Sequence, residues 1–229
     1  MVLGIIGAMD EEIELYKSNL ENLSELEKAK YFFYTGNFYG KDVVLVKSGV
    51  GKVNVASCTQ LLIDKFNISK IIFTGVAGSL NSSLNIYDVV ISEDSVQHDV
   101  DGTALGMEKG QIVFENLREF KSDSQLKNLA YQIAKEEELN PFIGRILSGD
   151  QFIQNSKKSK ELRDYFKGDC VDMETAAFAH VCEINKISYL AIRSISDKAD
   201  NSAEVDFNEF LPIAAKNSYK LVKGLIKRL

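Results

Sequence analysis

Charged side chains that could carry acid–base chemistry follow apolar runs at three places in this 229-residue sequence. Arg193 and Asp197, four residues apart, follow one apolar run, and Glu174 lies at the entry to a predicted helix. Glu12 comes shortly after the first apolar run of the chain. Open parallel sheets bind their ligands in the crevice at the carboxyl ends of the strands. We therefore expect these side chains at one such crevice, an arrangement typical of an enzyme.

Each of these groups also has a purely structural explanation. Carboxylates in the first turn of a helix are stabilised by the positive end of the helix dipole, which accounts for Asp10 and Glu11 and could account for Glu174. Asp197 could be a helix cap or the partner of Arg193. Taken singly, these explanations are more probable than catalysis. They do not explain why all three segments lie at predicted strand ends, and this clustering favours a functional site.

The composition is that of an ordinary globular protein. Apolar residues make up 45% of the chain and charged residues 26%, with a net charge of -6 and no basic run, so we expect no nucleic-acid partner. The three cysteines lie in apolar surroundings without metal-ligand spacing, which predicts free thiols in a reducing compartment and no metal site. No signal peptide and no apolar span near 18 residues is found, which predicts a cytoplasmic protein without membrane contact.

Strand-like and helix-like patterns alternate along the chain. Strands are predicted at 2–6, 31–39, 43–47, 71–74, 89–92, 143–147 and 187–192, and 31–39 and 43–47 are expected to pair antiparallel. Helices are predicted at 11–20, 53–66, 124–139, 159–166 and 174–185, with a last helix that begins at Asp206 as its N-cap. The least regular segment, 94–119, is long enough for a functional loop or an oligomer contact. No linker divides residues 1–229, so we expect one α/β domain in which helices flank a central twisted mixed sheet in three layers.

Two glycine-rich segments could approach a ligand. Residues 48–52 are similar to a phosphate-binding loop, but Val46 and Val53 occupy positions where that loop needs glycine and a hydroxyl side chain. A dinucleotide fingerprint fails as well, because Asn54 stands where it needs glycine. Residues 74–78 end a predicted buried strand with small side chains, so a flat ligand could approach their backbone closely. A simple packing turn remains an alternative for both segments.

Six segments occur in the order that is typical of one enzyme family: GIIGAMDEE at 4–12, KSGVGKV at 47–53, TGVAG at 74–78, SGDQFI at 148–153, VDME at 171–174 and RSISD at 193–197. The chain resembles the 5′-methylthioadenosine/S-adenosylhomocysteine nucleosidases of the purine nucleoside phosphorylase superfamily. This resemblance covers essentially the whole chain, and it implies a nucleoside phosphorylase-like fold.

The resemblance implies hydrolysis of the bond between adenine N9 and ribose C1′, with water as nucleophile and without a cofactor. Asp197 would protonate adenine N7, and Ser196 would help to hold this carboxyl group. Glu12 would take a proton from the attacking water, and Arg193 would help to orient that water. Each proton transfer of this kind contributes roughly 10² to 10⁴ to the rate.

The resemblance also implies contacts to each part of a nucleoside. The sugar would lie against Met173 and Glu174, the base against Phe152, the backbone of Ile153, Ala77 and Gly78, and an apolar 5′-thioether tail against Met9, Val50 and Phe207. On the sequence alone, ordinary core packing explains the two phenylalanines equally well.

The chain departs from the family pattern at two places. Val76 replaces a serine that is common in the family, so any polar contact there is lost. Members of the family are homodimers in which a loop reaches the tail pocket of the neighbouring subunit, and Gly102 and Leu105 occupy the matching positions here. Leu105 is smaller than the usual aromatic residue, which predicts a roomier pocket. His98 and His180 receive no chemical role.

Two other functions share this fold. A nucleoside phosphorylase would need a cluster of cationic side chains around phosphate, whereas Arg193 is alone and Glu12 would repel the anion. A non-catalytic nucleoside-binding protein has no need for Glu12 and Asp197. The 5′-substituent stays open among methylthioadenosine, S-adenosylhomocysteine, 5′-deoxyadenosine and a futalosine-like nucleoside.

Overall fold

The computed structural model describes residues 2–229. Its centre is a mixed sheet of ten strands. Its strands are β1 (Val2–Gly7), β2 (Glu21–Lys28), β3 (Tyr31–Phe38), β4 (Lys41–Lys47), β5 (Ile68–Ser79), β6 (Val89–Gln97), β7 (Phe120–Lys121), β8 (Pro141–Ser148), β9 (Cys170–Asp172) and β10 (Ser188–Asp197). The predicted antiparallel pairing of β3 and β4 is confirmed.

One end of this sheet closes on itself. From β2 the order runs through β3, β4, β1 and β5, and beyond β5 the strands β9, β8, β6 and β10 return to β5. Strands β1, β5 and β10 are parallel neighbours, so their carboxyl ends lie at the same edge. The short strand β9 pairs antiparallel with the last residues of β5 and so joins that edge. This closure brings four chain segments that are distant in sequence to one place.

Helices cover both faces of the sheet. They are α1 (Asp10–Lys17), α2 (Lys52–Lys65), α3 (Ser124–Glu136), α4 (Ser156–Phe166), α5 (Thr175–Asn185) and α6 (Ala203–Arg228). Helix α2 packs on α5, whereas α6 packs on α1 and α3. None of the described helices combines the length and the apolar character needed to cross a membrane. The predicted α/β fold with a central mixed sheet is confirmed.

The side chains of β1 show how the sequence places the sheet between two helical layers. Leu3 and Ile5 pack in a cluster with α1, α3 and α6, whereas Ile6 packs in a cluster with α2 and α5. Successive side chains of a strand point to opposite faces, so an uninterrupted apolar run is buried on both sides. The apolar run that begins the sequence therefore becomes an inner strand.

Two strands continue further than the sequence predicted. Strand β5 includes the glycine segment 74–78, and β10 continues through Arg193 to Asp197. The prediction that Arg193 follows the strand is wrong. Its charge is accommodated inside the strand because the guanidinium forms a buried ion pair with Asp172. The small side chains at the end of β5 and the charged side chains at the end of β10 interrupt the apolar runs, so the sequence pattern ended both strands too early.

Other boundaries are corrected for similar reasons. Strand β2 was not predicted because all of its residues are exposed, which leaves no apolar face to recognise. Strands β7 and β9 are too short to show a periodic pattern. Strand β6 extends to Gln97 through its pairing with β8, so the irregular segment begins at residue 98. Its polar residue Asp94, which pairs with Arg145, hid this extension in the sequence. Helix α6 begins after Ser202, its N-cap, and Asp206 lies in its first turn.

The cap of α3 gives a test of this fold. Asp123 is the N-cap, and its Oδ1 accepts the backbone N–H groups of Gln125 and Leu126, each at 2.9 Å. Asp123→Ala removes both bonds and should lower the free energy of unfolding by about 1 kcal/mol in urea denaturation. Asp123→Asn keeps an acceptor oxygen and should cost only a few tenths of that amount. Equal stabilities of the two variants would contradict this assignment of the cap.

Candidate active site

A cavity of about 280 Å³ opens at the edge where β1, β5, β9 and β10 meet. All predicted site residues except Arg193 and Ile153 line it: Met9, Glu12, Val50, Ala77, Gly78, Phe152, Met173, Glu174, Ser196, Asp197 and Phe207. Ala8, Val76, Val171 and Asp172 complete the wall. The sequence-based expectation that three carboxylate-bearing segments share one strand-end crevice is therefore met by the geometry.

Glu12 lies in the first turn of α1 and reaches back toward β1. Its Oε2 accepts the N–H groups of Ala8 at 2.6 Å and Met9 at 3.0 Å, which is half of a capping box. Its Oε1 accepts the N–H of Val76 in β5 at 3.0 Å. The carboxylate is only 5% exposed, so these three backbone donors hold it at the wall of the cavity.

Burial raises the pKa of Glu12 above its ordinary value. The positive charge of Arg193 and the three backbone N–H groups act in the opposite direction without cancelling that effect. A carboxylate with a raised pKa is a stronger base than an ordinary glutamate. Glu12 is therefore suited to take a proton from a group in the cavity.

Asp197 is the last residue of β10 and is 3% exposed. Its Oδ1 accepts the N–H of Ala199 at 2.8 Å, and its Oδ2 accepts the hydroxyl of Ser196 at 2.9 Å. Burial raises the pKa of Asp197, and these two hydrogen bonds only partly oppose the effect. The carboxyl group therefore keeps its proton to a higher pH than an ordinary aspartate, which suits a proton donor.

Two glycines of β5 make room for these two carboxyl groups. A Cβ atom at Gly75 would lie 2.5 Å from Oε1 of Glu12, and one at Gly78 would lie 2.6 Å from Oδ1 of Asp197. Neither glycine has a positive φ, so the requirement is for space and not for an unusual backbone conformation. The sequence had suggested that this segment makes room for a ligand, and the structure shows that its glycines also make room for carboxylates.

Glu174 reaches the cavity from the N-cap position of α5. Its Oε1 accepts the N–H of Gly51 at 2.7 Å, at the start of α2. Burial raises the pKa of Glu174, and the nearby negative charge of Asp172 raises it further. The N–H of Lys52 donates to Oδ1 of Asp150 at 2.8 Å. The glycine loop before α2 therefore directs its amides at carboxylates of the protein itself.

Apolar side chains form the other side of the cavity. The rings of Phe152 and Phe207 meet edge to face, with centroids 5.8 Å apart. Phe152 and Val50 are each 45% exposed, so they lie toward the opening and not in the core. Val76 packs with Met9 and Phe207 in an apolar cluster. The cavity thus joins a carboxylate-lined part to an apolar part.

Two predicted site residues lie outside this cavity. Ile153 lines a smaller adjacent cavity of about 30 Å³, which shares Phe152 and Asp197 with the larger one. Arg193 is 1% exposed and stands behind the wall, where its guanidinium lies 4.0 Å from the ring centroid of Phe73. Its role in orienting a water stays a prediction.

Asp172 is the polar cavity residue that the sequence reasoning left without a role. It lies within the VDME segment, between Val171 and Met173, and its Oδ2 accepts Nε–H of Arg193 at 2.8 Å. A buried arginine needs a carboxylate partner, and this need was the available signal. The sequence alone could not select Asp172, because Glu12, Glu174 and Asp197 were equally eligible.

The residues predicted to reach a partner subunit lie apart from the cavity of their own chain. Leu105 belongs to a short 3₁₀ turn, Thr103–Leu105, and is 60% exposed. Gly102 precedes that turn. Neither residue lines the cavity described above. His180 lies in α5 and stacks on Phe120, also away from the cavity.

Comparisons with known proteins agree with this fold. A family model described as the phosphorylase superfamily matches residues 2–227. A 5′-methylthioadenosine/S-adenosylhomocysteine nucleosidase of Staphylococcus haemolyticus is 42% identical over 229 residues, which is 100% of both chains. The crystal structure of such a nucleosidase from Neisseria meningitidis, in complex with methylthio-immucillin-A, has a TM-score of 0.96 at 39% identity and covers 100% of this chain and 99% of that chain. The native futalosine hydrolase of Helicobacter pylori has a TM-score of 0.96 at 34% identity, covering 100% of this chain and 98% of that chain.

These matches extend over essentially the full length of the chain. The chain belongs to the phosphorylase superfamily, and its fold matches that of solved structures of related nucleosidases. Within that superfamily, the chain belongs to the family of 5′-methylthioadenosine/S-adenosylhomocysteine nucleosidases.

The raised pKa of Asp197 predicts a pH-dependent effect on stability. The folded protein holds this proton more tightly than the unfolded chain, whose aspartate has a pKa near 3.8. The stability of the wild type relative to Asp197→Asn should therefore be greatest below that pH and fall as the pH rises through the raised pKa. Urea denaturation of both proteins across this range measures the difference. A relative stability that rises with pH would contradict the raised pKa.

Proposed function

We propose that this protein hydrolyses the N-glycosidic bond of 5′-methylthioadenosine and S-adenosylhomocysteine, and also of 5′-deoxyadenosine, releasing adenine and the 5′-substituted ribose. The observation that carries the proposal is the pair of buried carboxyl groups with raised pKa values, Glu12 and Asp197, on one cavity. The 42% identity to a nucleosidase of this specificity over the full chain supports the choice of substrates.

Asp197 serves as the general acid. Adenine is a poor leaving group until its N7 carries a proton, and the pKa of Asp197 is raised because the carboxyl is buried. The protonated carboxyl donates to N7 while the electrons of the C1′–N9 bond move into the base. Ser196, whose hydroxyl donates to Oδ2 at 2.9 Å, holds the group in place. Adenine then leaves as a neutral molecule.

Glu12 serves as the general base. As the C1′–N9 bond breaks, the sugar gains oxocarbenium character and a water attacks C1′. Glu12 takes the proton of that water, and its raised pKa makes it a stronger base than an ordinary glutamate. Arg193 supports the ionised form, since its positive charge lowers the pKa of Glu12. Glu12 then releases its proton to solvent and Asp197 takes one up, so the net reaction is the addition of one water across the glycosidic bond.

The rest of the cavity matches the parts of such a nucleoside. Glu174 accepts hydrogen bonds from the ribose hydroxyls, and Met173 lies against the sugar. Phe152 stacks on adenine with Ala77 and Gly78 beside the base, and the backbone of Ile153, in the smaller adjacent cavity, contacts the edge of the base. The apolar residues Met9, Val50 and Phe207 receive the 5′-thioether, where burial of apolar surface contributes about 25 cal/mol per Å².

Phosphorolysis is disfavoured by the start of α2. Helix N-termini commonly bind phosphate through their free N–H groups. Here the N–H groups of Gly51 and Lys52 already donate to the carboxylates of Glu174 and Asp150, at 2.7 and 2.8 Å. The ammonium group of Lys52 pairs with Asp99 at 2.7 Å. At the start of α2 a phosphate would therefore meet carboxylates and not free donors, which supports water as the nucleophile.

We further propose that the protein is a homodimer in which the loop containing Gly102 and Leu105 lies near the tail pocket of the neighbouring subunit. The exposed side chain of Leu105 and the exposed Val50 at the cavity opening support this arrangement, because large exposed apolar side chains often mark contact surfaces. We also infer a reducing compartment, the cytoplasm, since Cys58, Cys170 and Cys182 are free and buried.

Adenine release from methylthioadenosine in phosphate-free buffer tests the proposed reaction. The wild type should release adenine without phosphate, and Asp197→Asn and Glu12→Gln should each lower kcat by roughly 10² to 10⁴ because each removes one proton transfer. Two matched controls should keep near-normal rates: Glu11→Gln, which is exposed on the same helix, and Asp169→Asn, which is buried and ion-paired outside the cavity. Release that requires added phosphate would identify a phosphorylase instead. No release from any 5′-substituted adenosine or futalosine would leave only the binding function.

The tail pocket gives a second test. Leu105→Phe should narrow the space for the 5′-substituent, so the ratio of kcat/KM for S-adenosylhomocysteine to that for methylthioadenosine should fall several-fold. The same change at Leu26, which is exposed on the edge strand β2, should leave the ratio unchanged. An unchanged ratio in Leu105→Phe, together with a monomer in analytical ultracentrifugation, would rule out the proposed subunit contact.

A further inference from the structure

The N-terminus of α5 is capped by residues outside the helix. Glu174 occupies the N-cap position, yet its side chain makes no capping hydrogen bond. Instead, Oδ1 of Asp172 accepts the N–H groups of Glu174 and Thr175, at 3.2 and 3.1 Å. Oγ of Ser148 accepts the N–H of Ala176 at 2.8 Å. The free donors of the first turn are thus satisfied by two borrowed side chains.

This arrangement leaves the carboxylate of Glu174 free to face the cavity. An ordinary N-cap side chain folds back onto its own helix, since its oxygen satisfies a backbone donor there. Because Asp172 and Ser148 accept the backbone N–H groups of the first turn, the side chain of Glu174 can point away from α5 and accept the N–H of Gly51 at 2.7 Å. The orientation of Glu174 therefore depends on the residue two positions before it.

The same carboxylate of Asp172 also holds Arg193. Oδ2 accepts Nε–H of Arg193 at 2.8 Å, and both side chains are almost completely buried. Nη1 of Arg193 donates to the backbone carbonyls of Phe73 and Ile192, at 3.1 and 3.0 Å. Ser148 donates its hydroxyl to Oδ1 of Asp172 at 2.5 Å and so fixes the carboxylate between its partners. One side chain thus connects β8, β9, β10 and α5.

We propose that Asp172, supported by Ser148, is the positioning residue that orients both Glu174 and Arg193 for the reaction. The inference rests on the proposed function in one respect, namely that these two groups act on the sugar and on the water. Asp172 need not touch the reacting atoms itself. Its contribution is to keep one carboxylate in the cavity and one guanidinium behind it.

The charge of Asp172 gives this role a signature that an uncharged cap would lack. Four groups face the carboxyl of Glu174: Asp172, Arg193, Glu12 and the N–H of Gly51. The negative charge of Asp172 raises the pKa of Glu174, whereas Arg193 and Gly51 lower it. Removing the charge of Asp172, with the geometry kept, should therefore lower the pKa of Glu174. It should also leave the positive charge of Arg193 uncompensated, which lowers the pKa of Glu174 further.

Three variants separate the two functions of Asp172. Asp172→Asn keeps a carbonyl oxygen for the α5 amides but removes the charge that pairs with Arg193. Ser148→Ala keeps that charge but removes two hydrogen bonds: the one from the N–H of Ala176 to Ser148 and the one from Ser148 to Asp172. Asp169→Asn is the control, because Asp169 is a buried carboxylate just before β9 that pairs with Arg163 and lies outside the cavity.

Kinetics with methylthioadenosine and titration of the Glu174 carboxyl by carbon-13 NMR, assigned with Glu174→Gln, are the two measurements. In Asp172→Asn, kcat should fall by about 10- to 100-fold, because small misplacements of catalytic groups have effects of that order. The pKa of Glu174 should fall as well. In Ser148→Ala, KM should rise while the pKa of Glu174 stays nearer the wild-type value. Asp169→Asn should resemble the wild type in both measurements, whatever its stability.

The titration needs no substrate, so it separates this inference from the proposed reaction. If the wild type releases no adenine, the proposed function fails, and the pKa of Glu174 in the variants still decides whether Asp172 controls that group. An Asp172→Asn protein with wild-type kcat and an unchanged Glu174 titration would overturn the inference. A loss in Asp169→Asn equal to that in Asp172→Asn would also overturn it. If Asp172→Asn does not fold, a Ser148→Ala protein with wild-type KM would have the same consequence.

Discussion

The burial of carboxyl groups at one edge of the sheet is the constraint on which the rest of the site depends. A buried carboxylate is costly unless hydrogen-bond donors surround it, and burial without full compensation raises its pKa. Glu12 takes its donors from the start of α1 and from β5, Asp197 from the residues beside it, and Glu174 from the start of α2. Strand ends and helix N-termini are where unpaired N–H groups occur, so the chemistry and the fold share one location.

Closure of the sheet makes that location possible. Because β10 pairs with β5 and β9 joins the end of β5, three strands deliver Asp197, Glu174 and the β5 glycines to the same cavity. The glycines at 75 and 78 then let two carboxyl groups approach the β5 backbone. The donors at the start of α2 are used within the protein, which leaves no ready phosphate site there. The positions of the proposed acid and base, and the lack of free donors at the start of α2, thus follow from the same packing.

The sequence predicted the parts of this site whose signals are local. Apolar runs marked the inner strands, and the order of six motifs identified the family and most of the cavity lining. The rest depends on contacts between distant segments. Arg193 was misplaced because its burial depends on Asp172, and β2 was missed because an exposed edge strand has no apolar face. The role of the β5 glycines beside Glu12 and Asp197 became visible only when three strands were brought together.

Titration of the Asp197 and Glu12 carboxyls by carbon-13 NMR in the ligand-free protein tests the central claim most directly. Resonances would be assigned with Asp197→Asn and Glu12→Gln. Burial at the strand ends predicts midpoints above the ordinary values of 3.8 for Asp197 and 4.5 for Glu12. Midpoints at or below those values would show that the site does not raise the pKa of its carboxyl groups, and would contradict the assignment of Asp197 as the proton donor.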